Sequence, residues 1–138
     1  MKRNIFIIII SVVLIAGCKN NVDVTETPFE VSYSGQYQNV FYNDGTTEPE
    51  VTIVILQDES ELSGVGFFNG ISFNFTGKLN DNHAVLSFDL LNTNYGNIKG
   101  CYIDGFFGSD NSFSGGYTLS PEFGTQKIRF KYVGKVNY

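Results

Sequence analysis

The 138-residue chain is poor in the side chains that most chemistry uses. It has one histidine, His83, two cysteines, Cys18 and Cys101, and no tryptophan. A zinc site needs three or four close ligands, and no second histidine is present to join His83. No Gly-x-Ser-x-Gly elbow occurs, so a Ser-His-Asp triad has no obvious nucleophile. The tightest acidic cluster, Asp58-Glu59 with Glu61, is too compact for an EF-hand loop, whose ligands spread over twelve residues around a central glycine. Cations are also scarce, with nine Lys and Arg against fourteen Asp and Glu. That balance argues against nucleic acid, whose backbone asks for a basic face. No apolar run is long enough to cross a bilayer as a helix, which takes roughly twenty residues. The sequence therefore predicts no enzyme, no metal and no cofactor.

What is present begins at the N-terminus. Lys2 and Arg3 precede an apolar stretch, Ile5 to Ile15, broken only by Ser11. Small residues then lead into a cysteine, as Ile15-Ala16-Gly17-Cys18. This is the build of a secretory signal, and the last four residues resemble the lipobox of a bacterial lipoprotein. The resemblance implies cleavage of residues 1–17 and acylation of Cys18, anchoring the protein in a membrane through its acyl chains. Cleavage removes two of the nine cations and none of the acids, so the mature charge is near −7. Lys19 follows the cysteine, which in such lipoproteins favours the outer membrane, on its periplasmic or surface side. Residues 18–30 read as a polar tether carrying Asp23, Glu26 and Pro28, able to reach roughly 40 Å when extended. With Cys18 acylated, Cys101 has no disulfide partner and reads as a small buried hydrophobe.

From residue 31 to 138 the dominant signal is alternation, the mark of half-buried strands. Val51, Ile53 and Ile55 share one parity, as do Leu86, Phe88 and Leu90. Ile71, Phe73, Phe75 and Leu79 oppose Ser72, Asn74, Thr76 and Lys78, while Ile128, Phe130 and Tyr132 oppose Lys127, Arg129 and Lys131. Phe113, Tyr117 and Leu119 alternate with Ser112, Ser114 and Thr118. Turn signals separate the runs: Asn43-Asp44-Gly45, Asn69-Gly70, Asn80-Asp81-Asn82, Asn92-Thr93-Asn94, Ser109-Asp110-Asn111 and the Pro121–Gly124 stretch. Eight strands are expected, at 33–42, 50–57, 61–68, 71–79, 83–91, 96–104, 112–119 and 126–136. Every connection is short enough for a hairpin, which makes an antiparallel meander. Closure removes its two bare edges. The expected fold is all-β: a single eight-stranded up-and-down antiparallel β-barrel behind a signal peptide and tether, with a two-sheet sandwich as the alternative.

Part of this stretch resembles a known family. Ser72-Phe73-Asn74-Phe75-Thr76-Gly77-Lys78-Leu79, then Asp104-Gly105-Phe106-Phe107-Gly108, then Gly115-Gly116-Tyr117 and Phe123-Gly124, are similar to the barrel domain of transferrin-binding-protein-B-like surface lipoproteins. The family usually carries Ala and Glu where this chain has Asn111-Ser112-Phe113-Ser114. The likeness implies a lipocalin-like barrel and a binding role. The glycines also have a structural reading, since they relieve crowding where strands bend in a tight barrel.

Two features bear on what such a barrel could bind. Phe73, Phe75, Phe88, Phe113, Tyr117, Phe130 and Tyr132 fall on inward faces, and seven rings would occupy much of a small lumen. On the last strand, Lys127, Arg129, Lys131 and Lys135 lie on one face. They form either an ordinary wet surface, with the lysines meeting acids on neighbouring strands, or a stripe for anionic headgroups or an acidic partner. His83 is expected in an exposed turn. The leading function is a lipid-anchored, non-catalytic binding module for a protein partner. The alternatives are a lipocalin-like carrier of a small apolar ligand, or an inhibitor of a wall-degrading or host enzyme.

Overall fold

The computed structural model describes residues 31–45 and 47–136. The signal peptide at 1–17, with Lys2 and Arg3, and the tether at 18–30, with Cys18, lie outside the described residues. Ser32–Tyr138 form one compact unit. Among the described residues no helix is long and apolar enough to cross a membrane.

The chain folds as eight strands: β1 Gly35–Asn39, β2 Val51–Asp58, β3 Glu61–Phe68, β4 Ile71–Asn80, β5 His83–Thr93, β6 Gly96–Phe107, β7 Phe113–Thr118 and β8 Gln126–Gly134. Each pairs antiparallel with the next, and β8 pairs back to β1, closing an up-and-down barrel. Closure gives every strand two neighbours, and the one stretch where a ladder stops short lies between β4 and β5, where Ile71–Asn74 pair only with β3. The sandwich alternative is excluded by the β1–β8 ladder.

Tight links follow from local chemistry. Asn69 and Gly70 both take positive φ, 47° and 80°, in the two-residue turn that joins β3 to β4 with Phe68 opposite Ile71. Asn and Gly tolerate that conformation, and its twist matches the flanking strands. The β5–β6 turn differs from expectation. Thr93 remains in β5 opposite Gly96, and the turn is Asn94-Tyr95. Strand β1 is shorter than the expected 33–42 at both ends: Tyr33 leaves the sheet to stack on Phe107 as a plug, and Val40 and Phe41 are held by Arg129 beyond the strand. Strand β6 is longer, running to Phe107.

The interior is made by the inward parity of each strand. Tyr37, Ile53, Leu62, Phe73, Leu86, Ile103 and Phe130 are all buried. Rings fill the space where glycines leave it. Gly66 sits opposite Phe73, and Gly64 opposite Phe75. A Cβ on Gly66 would lie 2.3 Å from Phe73 Cζ. The Gly-rich strand β3 and the aromatic strand β4 are therefore one packing unit, in which a ring covers each missing side chain.

Candidate functional site

Two ring clusters occupy the lumen. Near one end, Tyr33 stacks on Phe107 with centroids 4.1 Å apart, and Phe107 also meets Tyr37 and Phe113. The Tyr37 hydroxyl donates to the Tyr33 carbonyl at 2.8 Å, which ties the plug to β1. Burial, with smaller contributions from Tyr132 and Tyr33, pushes the Tyr37 hydroxyl well above its ordinary range. Further along, Phe73 stacks on Phe88 at 4.3 Å and touches Phe75. Five of the seven expected inward rings are buried, and Tyr117 and Tyr132 are partly buried against the same core.

The family-like motif has a packing role. Gly105 of β6 lies opposite Gly115 of β7, and Phe107 opposite Phe113. A Cβ on Gly115 would lie 2.0 Å from the Asp104 carbonyl oxygen, so only glycine allows the approach. Earlier on β6, Cys101 is buried opposite Phe88, where burial raises its thiol pKa and its Sγ donates to the Leu119 carbonyl at 3.3 Å. A buried thiol held neutral in this way is a packing group, not a nucleophile.

The outer surface carries an open groove of about 830 Å³ over β4, β5 and β6. A bulge makes it. Phe88 pairs with Cys101 and Leu90 with Ile98, so Asp89 faces both Lys99 and Gly100. Gly100 takes φ 72°, and its amide donates to Asp89 Oδ1 at 2.8 Å. The β4–β5 ladder ends at Phe75–Phe88, leaving Ile71–Asn74 paired only with β3. Leu91 and Tyr102 wall the groove, Phe75 and Phe88 lie at its floor, and Asp89 and Asp104 bring negative charge. No Lys or Arg lines it.

His83 is not in a turn. It opens β5 and is half-buried, with Nε2 2.8 Å from Asp104 Oδ1 and its ring stacked on Phe106 at 4.7 Å. The strand pairing of His83 with Phe106 aligns these groups, and the intervening Phe106 separates His83 from Ser114 across the sheet. Glu61 pairs with exposed Lys78 at 2.7 Å, while Asp58 and Glu59 stay exposed at the β2–β3 turn. Among the described residues no group of three or more His, Cys, Asp or Glu is arranged to hold a metal ion. Thr118 was expected to face outward and is buried. Its hydroxyl is satisfied by Thr125 at 2.8 Å where the β7–β8 connection covers it.

The basic stripe divides. Lys127 and Lys131 are exposed on β8, and Lys135 follows the strand, also exposed. Arg129 is occupied: Nη2 donates to the Phe41 carbonyl at 2.9 Å and Nε to Val40, and its guanidinium lies 4.2 Å from the Tyr42 ring centroid. It is a strut that pins the segment after β1. Among the described residues, none of these lysines forms the expected ion pair with an acid on an adjacent strand. The strands flanking β8 offer Gln36 and Gln38 on one side and Ser114 and Gly116 on the other.

No family model, no curated protein and no solved structure matches this chain.

Proposed function

We propose that this protein is a lipid-anchored envelope or surface lipoprotein that works as a non-catalytic binding module for a protein partner. The observation that carries this reading is the contrast between the two faces of the sheet. The lumen is taken up by stacked rings, whereas the outside of β4–β6 offers an open groove with exposed Leu91 and Tyr102. An apolar ligand inside the barrel would have to displace Phe73 and Phe88, which are stacked on each other. A partner segment in the outer groove displaces only water. Asp89 and Asp104 bring negative charge to a lining without Lys or Arg, and although Lys99 lies opposite Asp89 and His83 meets Asp104, this favours a segment bearing Lys or Arg.

The lipobox at Cys18 supplies the anchor in this reading. The likeness of Asp104–Gly108 and Gly115–Tyr117 to transferrin-binding-protein-B-like barrels supports a binding role by analogy only, because those residues pack the barrel here.

The test is capture from envelope extract and host serum by the full chain, alongside a Leu91→Arg/Tyr102→Arg variant. A single partner that binds saturably and is lost in the variant is the expected result. A co-purifying lipid without a protein, or capture that ignores the variant, overturns it.

A further inference from the structure

The groove contains an unfinished sheet edge. Leu79 of β4 turns its amide toward β3 and donates to the Ser60 carbonyl at 2.8 Å. Ladder bonds alternate in direction along an antiparallel strand, so odd residues of β4 bond to β3 and even residues to β5. Lys78 and Thr76 accordingly meet Val85 and Ser87. The next even residues, Asn74 and Ser72, lie beyond the Phe75–Phe88 rung at which that ladder stops. Among the described residues, no strand pairs with their N–H and C=O groups on the β5 side. Proteins blunt such edges with proline, lysine or a covering element. Ile71-Ser72-Phe73-Asn74 has no proline and no charge, and Ser72 and Asn74 are exposed.

The surroundings of this edge select what pairs with it. Four residues give about 13 Å of edge, at about 3.3 Å each. One rung past Phe75–Phe88, Asp89 stands across the split from Asn74. Asp104 lies further along the groove, opposite Val85. Lys99 sits opposite Asp89 on β6, but it forms no ion pair with it among the described residues. A second copy of this chain would bring its own Asp89 and Asp104 to the same edge, at net charge −5, and like charges brought opposite each other destabilise a strand pair. A basic segment meets no such penalty. Neighbouring strands alternate in direction, so β4 begins and β5 ends at the barrel end opposite the start of β1. The split therefore opens away from the end at which the chain enters the barrel.

We propose that the partner's segment binds as an added β-strand, extended along the Ser72–Asn74 edge of β4. Lys or Arg occupies the positions opposite Ser72 and Asn74, which share the outer face with Asp89. Small or apolar residues occupy the positions between, which point inward as Phe73 does. This rests on the groove reading above and states how the groove holds its segment: main-chain hydrogen bonds supply affinity, and alternate side chains supply specificity.

The probe is a fluorescein-labelled peptide of three Lys-Val repeats, titrated against the full chain by fluorescence anisotropy, with a Glu-Val peptide as the charge control. A third peptide is N-methylated on its lysine backbone nitrogens. It keeps every charge and side chain but cannot donate to the Ser72 and Asn74 carbonyls. On the protein, Asn74→Pro removes one N–H that no ladder uses, so pairing with β3 is retained, while Asn74→Ala keeps the edge whole. The expected result is saturable binding of the Lys-Val peptide by the native chain and by Asn74→Ala, with slowed amide exchange at Ser72 and Asn74. Binding should weaken about 25-fold on N-methylation, from two hydrogen bonds at about fivefold each, and about fivefold or more in Asn74→Pro. No binding of the Lys-Val peptide, equal binding of the Glu-Val peptide, or indifference to N-methylation overturns the proposal. The methylated peptide decides on the native chain even where Asn74→Pro fails to fold. Self-association of the native chain that is abolished in Asn74→Pro also overturns it, by giving the edge to a second copy. The groove reading fails separately, when a captured partner ignores Leu91→Arg/Tyr102→Arg. Capture that is lost in that variant but survives in Asn74→Pro keeps the groove and removes the strand.

Discussion

Phe106 and Phe107 are neighbours in sequence and opposites in structure, and substituting each by alanine tests the filled lumen directly. Phe107 is 2 % exposed and contacts the rings of Tyr33, Tyr37 and Phe113. Its removal forfeits the transfer energy of a full aromatic side chain and leaves a hole walled by three rings. Tyr37 and Phe113 sit on strands paired on both sides, and the Tyr33 carbonyl is held by the Tyr37 hydroxyl, so collapse into the hole is limited. A cost near 4 kcal/mol is expected, inside the range of about 3–5 for buried Phe→Ala. For a domain of this size that lowers Tm by about 20 °C, and it consumes much of a total stability of about 5–15 kcal/mol. Phe106 is 56 % exposed and meets mainly the His83 ring. Its loss should cost under about 1 kcal/mol. Urea unfolding followed by far- and near-ultraviolet circular dichroism measures both. Similar costs for the two, or a Phe107→Ala cost below about 1.5 kcal/mol, would refute the claim that the lumen is tightly packed with rings.

Gly66→Ala should destabilise by about 1–3 kcal/mol through overpacking, since its Cβ would lie 2.3 Å from Phe73 Cζ. A Phe73→Leu change in the same chain should recover part of that loss in thermal melts. Arg129→Ala should cost about 1–2 kcal/mol, because the carbonyls of Val40 and Phe41 lose their guanidinium donor and Tyr42 loses its stacking partner. Amide exchange should accelerate over residues 40–42, and Arg129→Lys should not restore protection, since an ammonium lacks the planar fork. Alkaline pH should also destabilise the barrel. Burial raises the Tyr37 pKa above its ordinary value of 10.0, so above pH 10 the unfolded chain releases a proton that the folded chain retains. The stabilisation is complete below pH 10 and is lost as pH rises from 10 toward the folded value. Tyr117 is shifted the same way, first by burial and then by Glu48. Tyr37→Phe should flatten the decline in a pH series of denaturant midpoints, at a cost of about 1 kcal/mol for the lost bond to the Tyr33 carbonyl. An unchanged slope in that variant would remove Tyr37 as its source.

Strand identity was readable because period-2 alternation is a local property. Val51, Ile53 and Ile55 declare their shared face whatever they pack against. Asn69-Gly70 declares a hairpin because the needed φ values suit those residues. His83 was less legible, since its partner Asp104 is twenty-one residues away and aligned only by the β5–β6 ladder. The plug at Tyr33 was missed for a similar reason. Its alternation looks like strand, but its hydrogen bonds go to Gln57 and Tyr37, not to a ladder.

The candidate surfaces divide along the same line. That Lys127, Arg129 and Lys131 share a face follows from parity alone. That Arg129 is spent on the carbonyls of Val40 and Phe41, while the lysines stand beside Gln36 and Gln38, depends on which strand lies next to β8. The groove over β4–β6 is still further from the sequence, because it needs a bulge at Asp89–Gly100 and a ladder that stops at Phe75–Phe88. By itself the sequence determined the number and order of the strands and most of their turns and inward faces, all set by neighbours in the chain and by side-chain period. Closure and register were decided only in three dimensions. They depend on contacts between residues as far apart as Gln36 and Gly134, and those contacts choose which cations stay free and where the outer wall opens.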